Sequence, residues 1–199
     1  MDYSHIRSCR LCDSSQLIDR LSLTPTPPAN EFIGSPTDQD TFPLDVKQCQ
    51  DCGHIQLGVT LNPERLFRNY VYVSGTSPVF VQHFSDYADS VISKKYVSPE
   101  DVIIEIGSND GTLLSQFKKR GYDKVWGFEP ANRIANQAWL DHRVVTVPEF
   151  FNHRTYGILN ASIHSSPQLI IANNVFAHME NLRSTTELIS DILNPEGVF

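Results

Sequence analysis

Four cysteines form two Cys-x-x-Cys pairs, Cys9 with Cys12 and Cys49 with Cys52, and 36 residues separate the pairs. A short turn brings the two sulfurs of each pair to one point, so two pairs can surround a metal ion as a tetrahedron of thiolates. Zn²⁺ accepts four thiolates, and a site filled entirely by protein ligands is structural rather than catalytic. We therefore predict a structural zinc site. Two disulfides, a redox dithiol and an iron site are the alternatives. His5 and His54 are expected to be neighbours of the site rather than ligands.

Charge excludes some classes of partner. The 199 residues contain 16 Lys and Arg against 23 Asp and Glu, and residues 1–60 carry a net charge of about -4. Phosphates would be repelled by such a segment, so we expect no nucleic-acid partner. No apolar run approaches the ~20 residues that cross a bilayer, and the N-terminus lacks the features of a signal peptide. We therefore expect a cytoplasmic protein with no membrane partner.

A second group of residues with chemical potential follows an apolar segment at 102–106. Gly107 and Gly111 bracket a turn that lets a ligand approach the backbone. The dinucleotide fingerprint requires glycine where Asn109 and Thr112 stand, so a pyrophosphate site is poorly supported. Glu129 ends the next predicted strand, where a carboxylate can accept both hydroxyls of a ribose. A ribose without a pyrophosphate indicates S-adenosylmethionine (SAM). A tight turn with a helix-capping acid is the alternative.

Strands alternate with helices after Pro99, which predicts an α/β fold with a parallel sheet. Before it, a helix is expected over 78–96. We predict three regions: a zinc-binding domain at 1–65, a linker and helix at 66–98, and a Rossmann-like domain at 99–199. The expected strands lie at 102–106, 124–128, 144–147 and 169–172, the helices at 112–119, 132–140 and 182–193, and a fifth strand begins at 198.

The motifs together resemble a known family. Residues 105–111 with Glu129 look like the cofactor motifs of class I SAM-dependent methyltransferases. The cysteine pairs, Thr-Pro-Pro-Ala-Asn at 26–30, Phe-Pro-Leu at 42–44, Tyr-x-Tyr-x-Ser at 70–74 and Asn-Val-Phe-Ala-His at 174–178 are similar to those of zinc-containing sugar C-methyltransferases. Members of that family methylate carbon 3 of nucleotide-linked 4-keto-deoxysugars through an enolate.

The resemblance implies roles for individual residues. Tyr72 and His178 would face the keto sugar and stabilise the enolate, with Tyr70 as the alternative tyrosine. Residues that the resemblance and fold analogy place around SAM are Glu105, Gly107, Ser108, Asn109, Gly111, Glu129, Pro148, Glu149, Phe150, Asn173 and Asn174.

The resemblance also implies that the family's chain continues beyond these residues. Further strands, a second Rossmann-like domain and the general base would follow, so we expect a C-terminal remainder and an incomplete methyltransferase domain here. Two other functions stay open. One is a SAM-dependent methyltransferase of another small-molecule acceptor, and the other is a non-catalytic zinc-binding fragment.

Overall fold

The chain divides into two packing units in a computed structural model that describes residues 3–163 and 165–199. The first unit comprises the chain up to Tyr70 together with Glu180–Arg183. The second unit comprises Val71–Met179 and Ser184–Phe199.

The first unit is built from short antiparallel strands. Strands β2, β3 and β4 form one sheet in that order, and β1 pairs with β5; the elements are β1 Tyr3–His5, β2 Leu17–Thr26, β3 Phe42–Cys49, β4 Ile55–Leu57, β5 Val59–Leu61 and α1 Pro63–Phe67. Between residues 3 and 70, the apolar side chains that are buried are Cys9, Phe42, Cys49 and Val59. So small a core needs an additional constraint, and a metal site supplies one.

The second unit contains a parallel sheet flanked by helices. Its elements are α2 Pro78–Ser93, β6 Val102–Ile106, α3 Thr112–Lys118, β7 Val125–Phe128, α4 Asn132–His142, β8 Val145–Val147, α5 His153–Asn160, β9 Pro167–Ile171 and α6 Leu182–Ile192 from Ser184 onward, with short 3₁₀ helices at Ser74–Thr76 and Phe176–His178. The strands lie in the order β8-β7-β6-β9. The predicted α/β, Rossmann-like class is therefore confirmed. Because β9 lies on the opposite side of β6 from β7, the sheet has a switch point at β6, where ligands of such folds bind.

Strand β6 is buried on both faces, as expected for the centre of a parallel sheet. Ile103 packs into one core with residues of α2 and α3, and Ile104 packs into a second core with residues of α5 and α6. Helices therefore cover both faces of the sheet. The strand carries one acidic residue, Glu105, in an otherwise apolar run.

Two features near the C-terminal end extend the predicted pattern. Helix α5 was not predicted from the sequence, although its start has a capping box in which Asn152 and Thr155 satisfy each other's backbone N–H groups. Val198 forms a single parallel bridge with Leu169, where a fifth strand was expected to begin.

Among the helices in the described part of the chain, none has the length and apolar character that a bilayer crossing requires.

We predict that Gly127 in β7 tolerates no side chain. A Cβ atom there would lie 2.1 Å from Ser108 Oγ and 2.7 Å from Ser108 Cβ, so Gly127→Ala should cost about 1–3 kcal/mol of unfolding free energy through overpacking. Gly157→Ala is the matched control, because a Cβ at that position of α5 meets nothing within 4 Å. The control should raise stability by about 0.5–1 kcal/mol. Urea unfolding followed by tryptophan fluorescence measures both, and an unchanged midpoint for Gly127→Ala would contradict the packing.

Candidate functional site

The four cysteine sulfurs come together in the first unit, where all lie within 4.8 Å of one another. Cys9 Sγ lies 3.5 Å from Cys52 Sγ, and Cys12 Sγ lies 3.6 Å from Cys49 Sγ. Sulfurs placed tetrahedrally at the usual Zn–S distance of about 2.3 Å are roughly 3.8 Å apart. The four thiolates therefore fit a structural zinc ion, and the predicted ligand set is brought to one point. His5 and His54 lie outside this group of ligands in the described residues.

Both cysteine pairs are shaped by the same turn. The Cys9 carbonyl accepts the N–H of Asp13 at 2.9 Å, and the Cys49 carbonyl accepts the N–H of Gly53 at 3.0 Å. Asp13 and Gly53 both have positive φ, which Asp tolerates better than most residues and Gly adopts freely. Backbone N–H groups, first that of Cys52, lower the pKa of the Cys49 thiol to about 7. The pKa of Cys12 is raised to about 12 and that of Cys52 is also raised, because the neighbouring cysteine side chains and burial outweigh the backbone donors there. Metal binding therefore has to release protons from these thiols.

The loop after β6 is fastened to the end of β7. The N–H groups of Gly107 and Ser108 both donate to the Phe128 carbonyl, at 2.8 and 3.0 Å. Gly107 has a φ of 70°, and Gly111 is the N-cap of α3 with a φ of 75°. The loop therefore crosses the carboxyl end of the sheet at its switch point, as the sequence predicts for a ligand-binding turn.

Glu129 follows β7 and its carboxylate is buried beside this loop. Its Oε1 accepts the Ala131 N–H at 2.8 Å, and its Oε2 accepts the Asn109 N–H at 3.2 Å. Burial raises the pKa of Glu129, and these two N–H donors oppose the rise. The carboxylate thus lies between the two connections that follow β6 and β7.

Glu105 places a second carboxyl group under the same loop. Three buried side-chain oxygens have no hydrogen-bond partner among the described residues: Glu105 Oε2, Ser108 Oγ and Thr146 Oγ1. Burial raises the pKa of Glu105 well above its ordinary value, and the charges of Asp110 and Glu129 raise it further. A buried polar atom without a partner costs about 1–3 kcal/mol, so this end of the sheet is suited to a ligand that donates hydrogen bonds or carries positive charge.

The remaining predicted cofactor residues follow the outer strands. Pro148, Glu149 and Phe150 come directly after β8, and the Glu149 N–H donates to the Val147 carbonyl at 2.8 Å. Asn173 and Asn174 follow β9 after Ala172. Burial raises the pKa of Tyr87, and the nearby Asn173 side chain opposes that rise, while Asn174 has a φ of 55°. The carboxyl edge of the sheet therefore carries every residue predicted to surround SAM.

The residues predicted to face the acceptor are distributed differently. In the second unit, the Tyr72 ring packs edge-on against Phe80 at 6.3 Å and is 40% exposed, while His178 ends a 3₁₀ helix and is exposed. No hydrogen bond or ring contact joins Tyr72 to His178 in the described residues. Tyr70 belongs to the first unit, where it lines a cavity of about 340 Å³ together with Asn30, Glu31, Phe32, Arg65 and Asn69.

Asp110 is a residue of this region that sequence reasoning missed. It is 3% exposed, and its Oδ1 accepts the N–H and the hydroxyl of Thr112 while its Oδ2 accepts the N–H of Gly75. The pattern Asp-Gly-Thr at 110–112 offered a local signal for the Thr112 contacts at the start of α3. The contact with Gly75, 35 residues away, had no signal in the sequence.

Comparison with known proteins agrees with the resemblance drawn from the motifs. Residues 9–67 match the family model Methyltransf_13, described as "Putative zinc binding domain". The chain is 30% identical over 197 residues to the C-methyltransferase NovU of Streptomyces niveus. The aligned residues make up 98% of this chain and 46% of NovU. It thus spans about half the length of this curated relative. The resemblance to zinc-containing C-methyltransferases is confirmed.

Solved structures of methyltransferases have partly similar folds. A SAM-dependent methyltransferase from Geobacter sulfurreducens, in complex with S-adenosyl-L-homocysteine, is 14% identical and has a TM-score of 0.44 over 67% of this chain and 50% of that one. The plantazolicin methyltransferase BpumL, in complex with SAH and a desmethylPZN analogue, is 18% identical with a TM-score of 0.41 over 58% of this chain and 42% of that one.

We predict that the chain binds one zinc ion through the four cysteines. Cys49→Ser should lose the metal, because three thiolates leave the tetrahedron incomplete, and chelation should unfold the first unit because its apolar core is small. His54→Ala is the control, because His54 contacts this site through its backbone: its carbonyl accepts the Cys49 N–H at 2.8 Å and its N–H lies beside the Cys52 sulfur. Both backbone groups survive the substitution. Atomic emission gives the zinc content per chain. Full zinc content in Cys49→Ser, or its loss in His54→Ala, would refute this ligand set.

Proposed function

We propose that this chain is the zinc-binding and cofactor-binding part of a SAM-dependent C-methyltransferase. Its acceptor would be a nucleotide-linked 4-keto-deoxysugar, methylated on the carbon next to the ketone. The observation that carries the proposal is the unpartnered, buried carboxylate oxygen of Glu105 beneath the loop at the sheet's switch point, with Asp110 and Glu129 beside it. The 30% identity to a C-methyltransferase, over 98% of this chain, supports carbon as the atom that receives the methyl group.

The charge of the site discriminates between cofactors. The buried carboxyl groups of Asp110 and Glu129 would repel the pyrophosphate of a dinucleotide, and Glu105 would add to that repulsion whenever it is ionised. A ligand with an ammonium and a sulfonium group would instead be attracted, and its N–H groups would satisfy the free oxygen of Glu105. When bound, SAM supplies an electrophilic methyl group on its sulfonium centre.

Different residues at the carboxyl edge of the sheet would bind different parts of SAM. Glu129 would accept the ribose hydroxyls, and Glu105 would face the ammonium group. The segment 148–150 follows β8 and would border the adenine, while Asn173 and Asn174 would border the methionine end. The backbone of Gly107, Ser108 and Gly111 would form the surface along which the ligand lies.

Carbon methylation also requires an acidic carbon to be deprotonated. Removal of the proton next to the ketone leaves negative charge on the carbonyl oxygen, and a positioned hydroxyl or imidazole N–H stabilises that oxygen. Tyr72 would supply the hydroxyl and His178 would relay the proton, with Tyr70 as the alternative hydroxyl. The exposure of Tyr72 and His178 leaves both available to an acceptor.

The proposal predicts that the zinc-loaded chain binds S-adenosylhomocysteine (SAH) in a calorimetric titration and that Glu129→Gln weakens binding. Loss of charge-assisted bonds to two hydroxyls is worth about 1.5–3 kcal/mol, which corresponds to roughly a 10- to 150-fold rise in Kd. Glu187→Gln, an exposed glutamate of α6, is the matched control and should bind as the unaltered chain does.

Thermal unfolding by circular dichroism establishes that Glu129→Gln is folded. The proposal fails if the folded, zinc-loaded chain gives no saturable heat with SAH. It also fails if Glu129→Gln binds with an unchanged Kd.

A further inference from the structure

Residues 71–76 form a short segment, here called the strap, that carries Tyr72 into α2. Within the strap the Thr76 hydroxyl donates to the Val73 carbonyl at 2.7 Å. The backbone bonds of this segment are long: the Thr76 N–H donates to the Val73 carbonyl at 3.3 Å, and the Ser77 N–H donates to the Ser74 carbonyl at 3.5 Å. Both distances lie beyond the usual 2.7–3.2 Å for such bonds. The position of the strap therefore depends on contacts from elsewhere in the second unit.

The side chain of Asn109 supplies two of these contacts. Its Oδ1 accepts the Ser74 N–H at 2.9 Å, and its Nδ2 donates to the Tyr72 carbonyl at 3.0 Å. One amide thus binds a donor and an acceptor of the strap backbone, as a neighbouring β-strand would. Asn109 is 9% exposed and has a φ of 50°, a conformation that Asn adopts more readily than other non-glycine residues.

Asp110 adds a third contact from the next position of the loop. Its Oδ2 accepts the Gly75 N–H at 2.8 Å, while its Oδ1 is held by the Thr112 hydroxyl at 2.6 Å. One oxygen of the Asp110 carboxylate is therefore held at the start of α3 while the other binds the strap. Because all three contacts go to backbone atoms, they set where the strap lies independently of its side chains.

Asn109 also contacts Glu129, the residue proposed to bind the ribose. The Asn109 N–H donates to Glu129 Oε2 at 3.2 Å, so a single residue joins the strap to that carboxylate. A ligand that binds Glu129 Oε2 must share this oxygen with the Asn109 N–H or displace that N–H. Either event acts on Asn109, whose side chain holds the Tyr72 backbone.

We propose that Asn109 and Asp110 are positioning residues that tie the strap, and with it Tyr72, to the cofactor loop, so that binding of the cofactor orders the strap. The identity of the ligand rests on the proposed function, whereas the link between loop and strap rests on the four hydrogen bonds alone. The ring of Tyr72 packs edge-on against Phe80. It would take up a single position toward the acceptor once the cofactor is bound at the loop.

Amide hydrogen exchange measured by NMR on the full chain, with and without SAH, tests this link. In the unaltered chain the Ser74 and Gly75 amides should exchange slowly, and SAH should slow them further by at least threefold. Asn109→Gly keeps the positive φ and removes both amide bonds, so Ser74 exchange should rise at least tenfold, with a smaller rise at Gly75, which Asp110 still holds. Lys95→Gly is the matched control, since Lys95 is an exposed residue with a φ of 58° at the end of α2.

The outcomes separate this inference from the proposed function. Unchanged Ser74 exchange in Asn109→Gly overturns the link and leaves the cofactor proposal standing. SAH binding that does not alter Ser74 or Gly75 exchange in the unaltered chain overturns the coupling. Absence of SAH binding overturns the proposed function and the coupling together, whereas faster Ser74 exchange in Asn109→Gly would still establish the link itself. Equal effects in Lys95→Gly would attribute the change to added glycine and overturn the role of Asn109.

Discussion

The carboxylate of Glu129 connects three parts of the second unit at the carboxyl end of β7. One oxygen accepts the N–H of Ala131, the N-cap of α4, and the other accepts the N–H of Asn109 in the loop that leads to α3. The carboxylate therefore fixes the spacing of two helix starts and the path of the loop between them. Asn109 extends that order to the backbone of the strap. The loop after β6, the Glu129 carboxylate and the strap that carries Tyr72 are in this way parts of one hydrogen-bonded structure.

Glu105 and Asp110 give the same region its electrostatic character. A carboxyl group buried in the central strand of a parallel sheet is costly, and Glu105 has an oxygen that no described group satisfies. The cost is explained if the group serves a ligand with N–H donors and positive charge. The first unit is stabilised differently: few apolar side chains are buried there, and four thiolates at a common point supply the constraint that a larger core would provide.

Local patterns made much of this architecture predictable. The apolar run at 102–106, the glycines that follow it and the two Cys-x-x-Cys pairs each act within a few residues, and each appears where the sequence placed it. The pairing of β6 with β9 and the contacts of Asn109 and Asp110 with the strap join residues 35 or more positions apart, which no local pattern encodes. Asn109 illustrates the difference: the sequence placed it in the cofactor loop, and the tertiary structure turns its amide to the strap. Helix α5 had a local signal in the capping residues Asn152 and Thr155, which the prediction did not use.

The most direct test of the central claim is the number of protons released when SAH binds, obtained from calorimetric titrations at pH 7 in buffers of different ionisation enthalpy. Burial raises the pKa of Glu105 above the ordinary value of 4.5, so the folded chain favours the protonated acid, and the stability this gives at low pH is lost as the pH rises through the raised pKa. A bound ammonium group favours the carboxylate and lowers that pKa, so binding should release up to one proton per SAH. Glu105→Gln should abolish the release. An unchanged Kd for SAH in Glu105→Gln, or equal proton release from that variant, would contradict a cation-binding role for this carboxyl group.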